Sequence, residues 1–310
     1  MRSWEKIMSE LYEQFRKTNV WYANEAGAMT SRDPSFTNPM KINGTIEDWK
    51  IISAADYMRY YAYESFDFSQ KNRAQKRIEQ MLQNAQGYVL ISYQGAGPDP
   101  NDENEQTVVI PNYVDDHPIV AVGQNLFPYF EAFEDDEFNI KQPERYICKK
   151  AKLFVPDGIN FLLKGSLAGF KQITELYLSN TLLYMGKNSL SCFAGKFRNF
   201  ELPSSLYYVE DEAFTYNSRI KILPSSLAYL GNNVMNSALD GDIIFLPKHL
   251  CYIGTWNFGR GIIYEIDEVF TNFSTPREIY VYEDSFGEEW ALNCAEEYGW
   301  PDGIIKYICE

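Results

Sequence analysis

Histidine is almost missing from this chain: His117 and His249 are the only two among 310 residues. Chemistry built on imidazole, whether general base or zinc ligand, has little to draw on. The five cysteines (Cys148, Cys192, Cys251, Cys294 and Cys309) are odd in number and never form a CxxC pair. That pattern argues against a disulfide framework or a zinc ribbon, so they read as reduced core thiols. Positive charge is short as well. With 28 Lys and Arg against 43 Asp and Glu, the net charge of -15 repels nucleic-acid phosphate and anionic membrane surfaces. No apolar run approaches the roughly 18 residues needed to span a bilayer. The first helical stretch (Trp4, Ile7, Met8, Leu11, Phe15) is interrupted by Glu5, Lys6, Glu10, Glu13 and Arg16, so no secretory signal is read there. A soluble chain is expected, with no nucleic-acid partner and no membrane insertion. Walker, GxGxxG, GxSxG and HExxH motifs are lacking, and neither an enzyme nor a cofactor is expected.

What the chain does hold is apolar material, 45% hydrophobic and 16% aromatic residues, enough for a packed core. It also holds a repeat. The clearest copies are FELPSSLYYVEDEAF from Phe200, ILPSSLAYLGNNVM from Ile222 and FLPKHLCYIGTWNF from Phe245. Fainter ones start at Val108, Leu153 and Leu176. Aligned on an anchor residue (Pro111, Pro156, Ser179, Pro203, Pro224, Pro247), the last five are 23, 24, 21 and 23 residues apart. An apolar residue precedes each anchor: Ile110, Val155, Leu178, Leu202, Leu223 and Leu246. In the regular copies others follow at three and six positions, as in Leu206/Val209 and Leu227/Leu230, and a large apolar residue at eleven (Leu190, Phe214, Met235, Phe258). Seven past the anchor stand Gly186, Gly231 and Gly254, with Glu210 as the exception.

The mechanical reading is a coil. A short strand runs into an anchor that ends it, because proline lacks the N–H a ladder requires. Glycine then permits the turn that brings the chain round. One coil cannot bury its apolar face, but stacked coils bury a continuous core and pair their strands in parallel.

At these residues the sequence resembles the BspA-type leucine-rich repeat family over about residues 107–282, with greatest specificity from Leu176 to Phe258. The resemblance implies a parallel-β solenoid of about 23-residue coils. IIYEIDEVFTNF reads as one more, degenerate coil, with Ile266, Phe270 and Phe273 in core slots. Residues 283–310 resemble the closing segment of the family, a last strand and a helix (Phe286, Trp290, Cys294, Tyr298) capping the open end. Lys221 stands where other copies are apolar, so its strand is expected to shift or bulge. Gly123 and Gly165 come late, implying longer local turns.

Residues 1–87 form a helical head in this reading, with 88–310 as the solenoid. One helix carries Trp4 to Phe15. A second starts at Thr45, with Asp48 completing a capping box, and carries Trp49, Ile52, Tyr57, Met58, Tyr60 and Tyr61. A third runs from Gln70 to Ala85 and closes on Gly87, and GYVLISYQG follows as the strand that starts the sheet. The fold class is therefore α+β. The aperiodic loop at 20–45 either docks a partner, with Trp21 and Tyr22 as contacts, or is simply flexible.

Polar clusters read as structural. His117 in VDDHPI makes an exposed turn, and His249 and Cys251 flank core Leu250 as repeat furniture. The acidic runs 98–106 and 130–138 lack the ligand spacing of a calcium loop and read as solvated insertions. Lys71, Arg73, Lys76 and Arg77 read as a solvated helix face.

Strand alternation yields the main surface expectation. If the residue before each anchor points inward, the one before that points out. Those positions are Val109, Phe154, Tyr177, Glu201, Ile222, Phe245, Glu265 and Tyr280, mostly large and apolar. Such a ladder is covered by the chain's own head, or docks another protein, or serves as a glycan platform. The family resemblance implies adhesion or recognition, often by secreted or host-associated proteins. The lack of a signal segment turns the expectation toward a non-enzymatic component of a larger oligomeric assembly, such as a virion or tail structural or attachment protein. The alternative is a free cell-surface adhesin exported by another route.

Overall fold

In the computed structural model, residues 42–65, 73–93, 104–124, 126, 150–167, 173–190, 202–213, 220–234, 243–254, 260–265, 268–273 and 276–309 are described. In chain order, β1 (Asn43–Gly44) and β2 (Trp49–Ser53) lead into helices α1 (Ala54–Ser65) and α2 (Arg73–Gln83) and then β3 (Tyr88–Tyr93). Next come β4 (Glu105–Val109), β5 (Tyr113–Val114), β6 (His117–Val122), β7 (Lys150–Phe154), β8 (Phe161–Leu162), β9 (Ile173–Tyr177), β10 (Tyr184–Met185) and β11 (Tyr208–Val209). The series continues with β12 (Ile220–Ile222), β13 (Tyr229–Leu230), β14 (Ile243–Phe245), β15 (Tyr252–Ile253), β16 (Arg260–Glu265), β17 (Glu268–Phe273), β18 (Glu278–Tyr282), α3 (Phe286–Tyr298) and β19 (Ile305–Ile308). The chain thus mixes α and β structure, with mostly parallel sheets and few helices.

Among the described residues the repeats at Pro156, Ser179, Pro224 and Pro247 each contribute two strands, one on either side of the anchor. Strands before the anchors form the first ladder, in two separate parallel sheets, β4–β7–β9 and β12–β14, the latter continued by β18 and β19. Those after the anchors pair in parallel as β6–β8–β10–β11–β13–β15, with β3 added in parallel at β6. Along this second ladder Tyr184 pairs with Tyr208, Tyr208 with Tyr229 and Tyr229 with Tyr252, steps of 24, 21 and 23 residues. Residues from both sets of strands share one core: Leu178, Leu182 and Met185 from one repeat, Leu202, Leu206 and Val209 from the next, Leu223, Leu227 and Leu230 after it. Every apolar residue before an anchor is buried, as the alternation requires. Lys221 does not disturb its strand: it pairs with Ile244, and both neighbours stay in step. The parallel backbone pairing holds the register whatever that one side chain is.

The glycines act differently from the expectation. Gly186, Gly231 and Gly254 do not adopt left-handed angles. They stand where one turn's backbone lies against the turn before. A Cβ at Gly186 would come 2.7 Å from Lys164 N, one at Gly254 2.5 Å from Asn232 N, and one at Gly231 would strike Asp211 N. The left-handed corner comes two residues later, at Asn188, Glu212 and Asn233 (φ 54° to 55°) and at Gly165 (φ 62°). Gly165 is therefore not a delayed glycine but the regular corner residue of its repeat. Gly123 is delayed, and the cause is the β5–β6 hairpin inserted after Pro111, which turns on Asp115 and Asp116, both at positive φ.

Two other readings are corrected. Trp49 to Ser53 form a strand antiparallel to β3, and the helix starts only at Ala54. Thr45 does bond Asp48 (3.1 Å), yet the cap belongs to Ser53, whose Oγ accepts from Asp56 N at 3.2 Å. Ile51 and Ile52 are β-branched and pair across to Leu90 and Val89, which favours the strand. Gly87 is not a left-handed cap either. It lies against Val120 and the Pro118 carbonyl, where a Cβ would come within 2.6 Å.

The degenerate coil is instead an antiparallel hairpin, β16 with β17, and β14 pairs directly with β18 past it. Only two residues separate Glu265 from Glu268, so the chain reverses rather than circling. At the C-terminus α3 is capped by Ser285, which accepts from Glu288 N (3.1 Å), and by left-handed Gly299. Ala291 and Cys294 enter the core. The helix is not the last element, because it crosses over to β19, which adds one more parallel strand beside β18.

Candidate functional site

The outer face of the first ladder, where the apolar stripe is expected, is only partly open. Val109 is exposed, Phe154 is half-buried, and Phe154 stacks on Tyr177 with ring centroids 4.3 Å apart and planes 9° from parallel. Phe245 stacks on Tyr280 in the same way (4.5 Å, 8°). Tyr177 and Phe245 are themselves buried, at 4% and 1% exposure. The stripe is therefore not continuously exposed, since rungs about 4.8 Å apart let neighbouring rings cover each other's faces. Ile222 is in register with Phe245. Glu265 leaves the ladder for the hairpin, where it opposes Glu268. Glu201, Trp21 and Tyr22 lie outside the described residues, as do the first helix, most of the 20–45 loop and both acidic runs except for Asn104 to Gln106. The described end of that loop is tied down, because Asn43–Gly44 pairs with β5 and Ile42 N bonds buried Asn112 (2.8 Å).

A second aromatic ladder, missed by the repeat analysis, runs along the outer face of the other sheet. Tyr208 stacks on Tyr229 (4.1 Å, 4°), Tyr229 on Tyr252 (4.4 Å, 9°), and Tyr184 tilts against Tyr208 (5.7 Å). Phe161 continues the row. Helices α1 and α2 cover it: Ala54, Tyr57, Ile78 and Leu82 pack with Phe161, Tyr184, Tyr208 and Tyr229 in one cluster. Arg77 lies over the Tyr207 ring at 4.7 Å, so part of the basic face is a cation–π contact to the sheet. The signal was present in the sequence: a tyrosine directly precedes the apolar residue at six in LLYM, LYYV, LAYL and LCYI.

Burial raises the phenol of Tyr184 well above its usual value, helped by the charge of Glu210 and a hydrogen bond to it. Burial also raises the phenols of Tyr229 and Tyr252. Glu210 replaces the repeat's glycine, is buried, and accepts from Lys187 N at 2.9 Å. It holds the neighbouring turn in place while sitting beneath the tyrosines.

The remaining polar residues stay apart. His117 Nδ1 lies 3.1 Å from the Val114 carbonyl in its own hairpin, with its ring edge against Tyr88. His249 and Cys251 are both exposed on either side of buried Leu250. The Cys251 thiol donates to the Ala228 carbonyl (2.9 Å), and burial pushes its pKa up, away from a thiolate nucleophile. Ser205, in the slot that His249 fills, likewise bonds a carbonyl of the preceding turn, that of Leu182 (2.7 Å). Of the described cysteines only Cys294 is a core thiol, with Cys251 and Cys309 nearer the surface. Among the described residues no group of three or more His, Cys, Asp or Glu is placed to hold a metal ion, and no helix is long and apolar enough to cross a membrane.

Comparison with protein-family models, with curated proteins and with solved structures gives no match to this chain.

Proposed function

We propose that the chain is a BspA-like leucine-rich repeat solenoid that works as a non-enzymatic interaction or structural module within a larger assembly. The observation that carries this reading is the tyrosine register at steps of 24, 21 and 23 residues, which is what stacked coils of one repeat produce. A stack of this kind offers long faces and two ends rather than a deep pocket. One face is occupied by the chain's own helices, and among the described residues Val109 and Phe154 on the first ladder's outer face, with the sheet edges, are open to other protein chains. The Cys251 thiol, donated to the Ala228 carbonyl and raised by burial, favours binding over catalysis. A virion or tail component fits this design, in which rigid repeats act as spacer or joint, and a free adhesin recognising protein or glycan is the alternative.

The test is the mass of the full chain isolated natively from its source. A complex of fixed stoichiometry with other chains is expected. A monodisperse monomer that binds cells would favour the adhesin, and a chain turning over a small substrate would end both readings.

A further inference from the structure

The first ladder's two parallel sheets each end on a strand with no further described partner, and two of these edges match. β4 is the first strand of one sheet, paired only with β7, and β19 the last of the other, paired only with β18. The hydrogen-bond direction is constant along the stack: Ile110 N donates to Phe154 O, Val155 N to Tyr177 O, Leu246 N to Tyr280 O and Ile279 N to Ile304 O. In a strand, successive residues point their N–H and C=O to opposite sides. The residues facing back from β19 to β18 are therefore 304, 306 and 308, while Ile305 and Tyr307 point their backbone groups outward. On β4 the outward residues are 105, 107 and 109. Val109 and Tyr307 are also among the few large hydrophobic residues exposed in the described chain, at 37% and 40%. Leu292 is exposed on α3, the helix that leads into β19.

We infer that the partner at these ends is a second copy of this chain, with β19 of one copy adding in parallel to β4 of the next. The inference deepens the solenoid reading and rests on it. Continuing the observed register past β19 places Lys306 beside Val109 and Tyr307 beside Ile110 of the next copy, because Tyr280 pairs with Lys306 and Phe154 with Val109. Tyr307 N–H then donates to Val109 O, and Val109 N–H to Ile305 O, repeating the bonding of every interior rung. A second copy suits the site better than an unrelated extended peptide, since only the other end of the same stack brings the same strand direction and the same backbone phase. The contact is head-to-tail, so it adds copies without closing as a two-fold dimer.

Sedimentation of the full chain across a concentration series tests this. Wild type is expected to pass from monomer through dimer to longer multiples. Val109→Pro deletes an outward N–H at an edge position that tolerates proline and should hold the chain monomeric. Val109→Lys sets a lysine opposite Lys306 and should weaken association about fivefold, while Val109→Glu should tighten it by about as much. Adding Lys306→Glu to Val109→Lys should restore wild-type association. These charge variants sit on exposed side chains and leave the fold in place, which circular dichroism checks. Wild type remaining monomeric, a population stopping at dimer, or association indifferent to residue 109 and its charge partner would each overturn the inference. A monomer that still enters a fixed complex with other chains in its source would leave the interaction-module reading standing and remove only the self-association.

Discussion

The two outer faces of this molecule carry similar aromatic rows, one packed against the chain's own helices and the other ending in side chains that reach solvent. On one, Tyr184, Tyr208, Tyr229 and Tyr252 stack beneath α1 and α2. On the other, Phe154 with Tyr177 and Phe245 with Tyr280 stack at nearly the same spacing, with Val109 and Phe154 still reaching solvent. Stacking therefore says only that rungs are in register. It does not say whether a face is interior or surface. That difference is set by a helical segment far away in sequence, whose Ile78 and Leu82 need an apolar bed and find it on the tyrosine side.

The comparison can be broken most forcefully by removing a ring from each row. Tyr208→Ala should cost about 4 kcal/mol, as for a large buried side chain. Phe154→Ala should cost about 2 kcal/mol, because part of its surface already reaches water and the side chain is less deeply buried. Urea denaturation measures both, and equal losses would mean that the first face is as deeply covered as the second. Next in size, Gly231→Val forces a side chain into the Asp211 backbone and should cost about 3 kcal/mol through overpacking. Gly299→Ala, with open space around it but φ +62°, should cost about 1 kcal/mol.

Alkali sharpens the contrast without mutation. Tyr184, Tyr229 and Tyr252 have phenol pKa values raised in the folded chain, so the native state holds protons that the unfolded state releases. Their contribution is complete below the unfolded value of about 10 and is lost as pH climbs above it. The melting temperature should stay level up to about pH 9 and then fall, and Tyr184→Phe should soften that fall. Smallest of all, Arg77→Ala should cost about 0.5 kcal/mol, the worth of a cation–π contact between an exposed guanidinium and a partly buried ring.

Much of this was legible beforehand, and the misses have identifiable causes. The anchor alignment located the strands before the anchors and the inward residues of both ladders, because burial demands an apolar residue at the same point of every turn, but it read the second strand of each coil as a turn. Tyrosine at five past the anchor was passed over because it looks like an outward residue, and it is one. Its burial comes from α2, which no local pattern announces. Thr45 and Ser53 are both followed three residues later by aspartate, and both bond it. Only the pairing of Ile51 and Ile52 with β3 decided which of the two starts a helix. Glu265 fits the repeat's alternation as well as its neighbours do, yet the two-residue gap to Glu268 permits a hairpin, and the hairpin was the outcome.

By itself the amino-acid order determined the period, the inward set and the place of the anchors, since these follow from chain geometry and the aversion of leucine to water, which act within a single turn. Tertiary structure decided which face α1 and α2 would hide, that Gly186, Gly231 and Gly254 serve close approach rather than turning, and that β19 rather than α3 ends the sheet. Each of those outcomes depends on what a neighbouring turn or a distant helix presses against, and a pattern confined to one repeat carries no record of its neighbours.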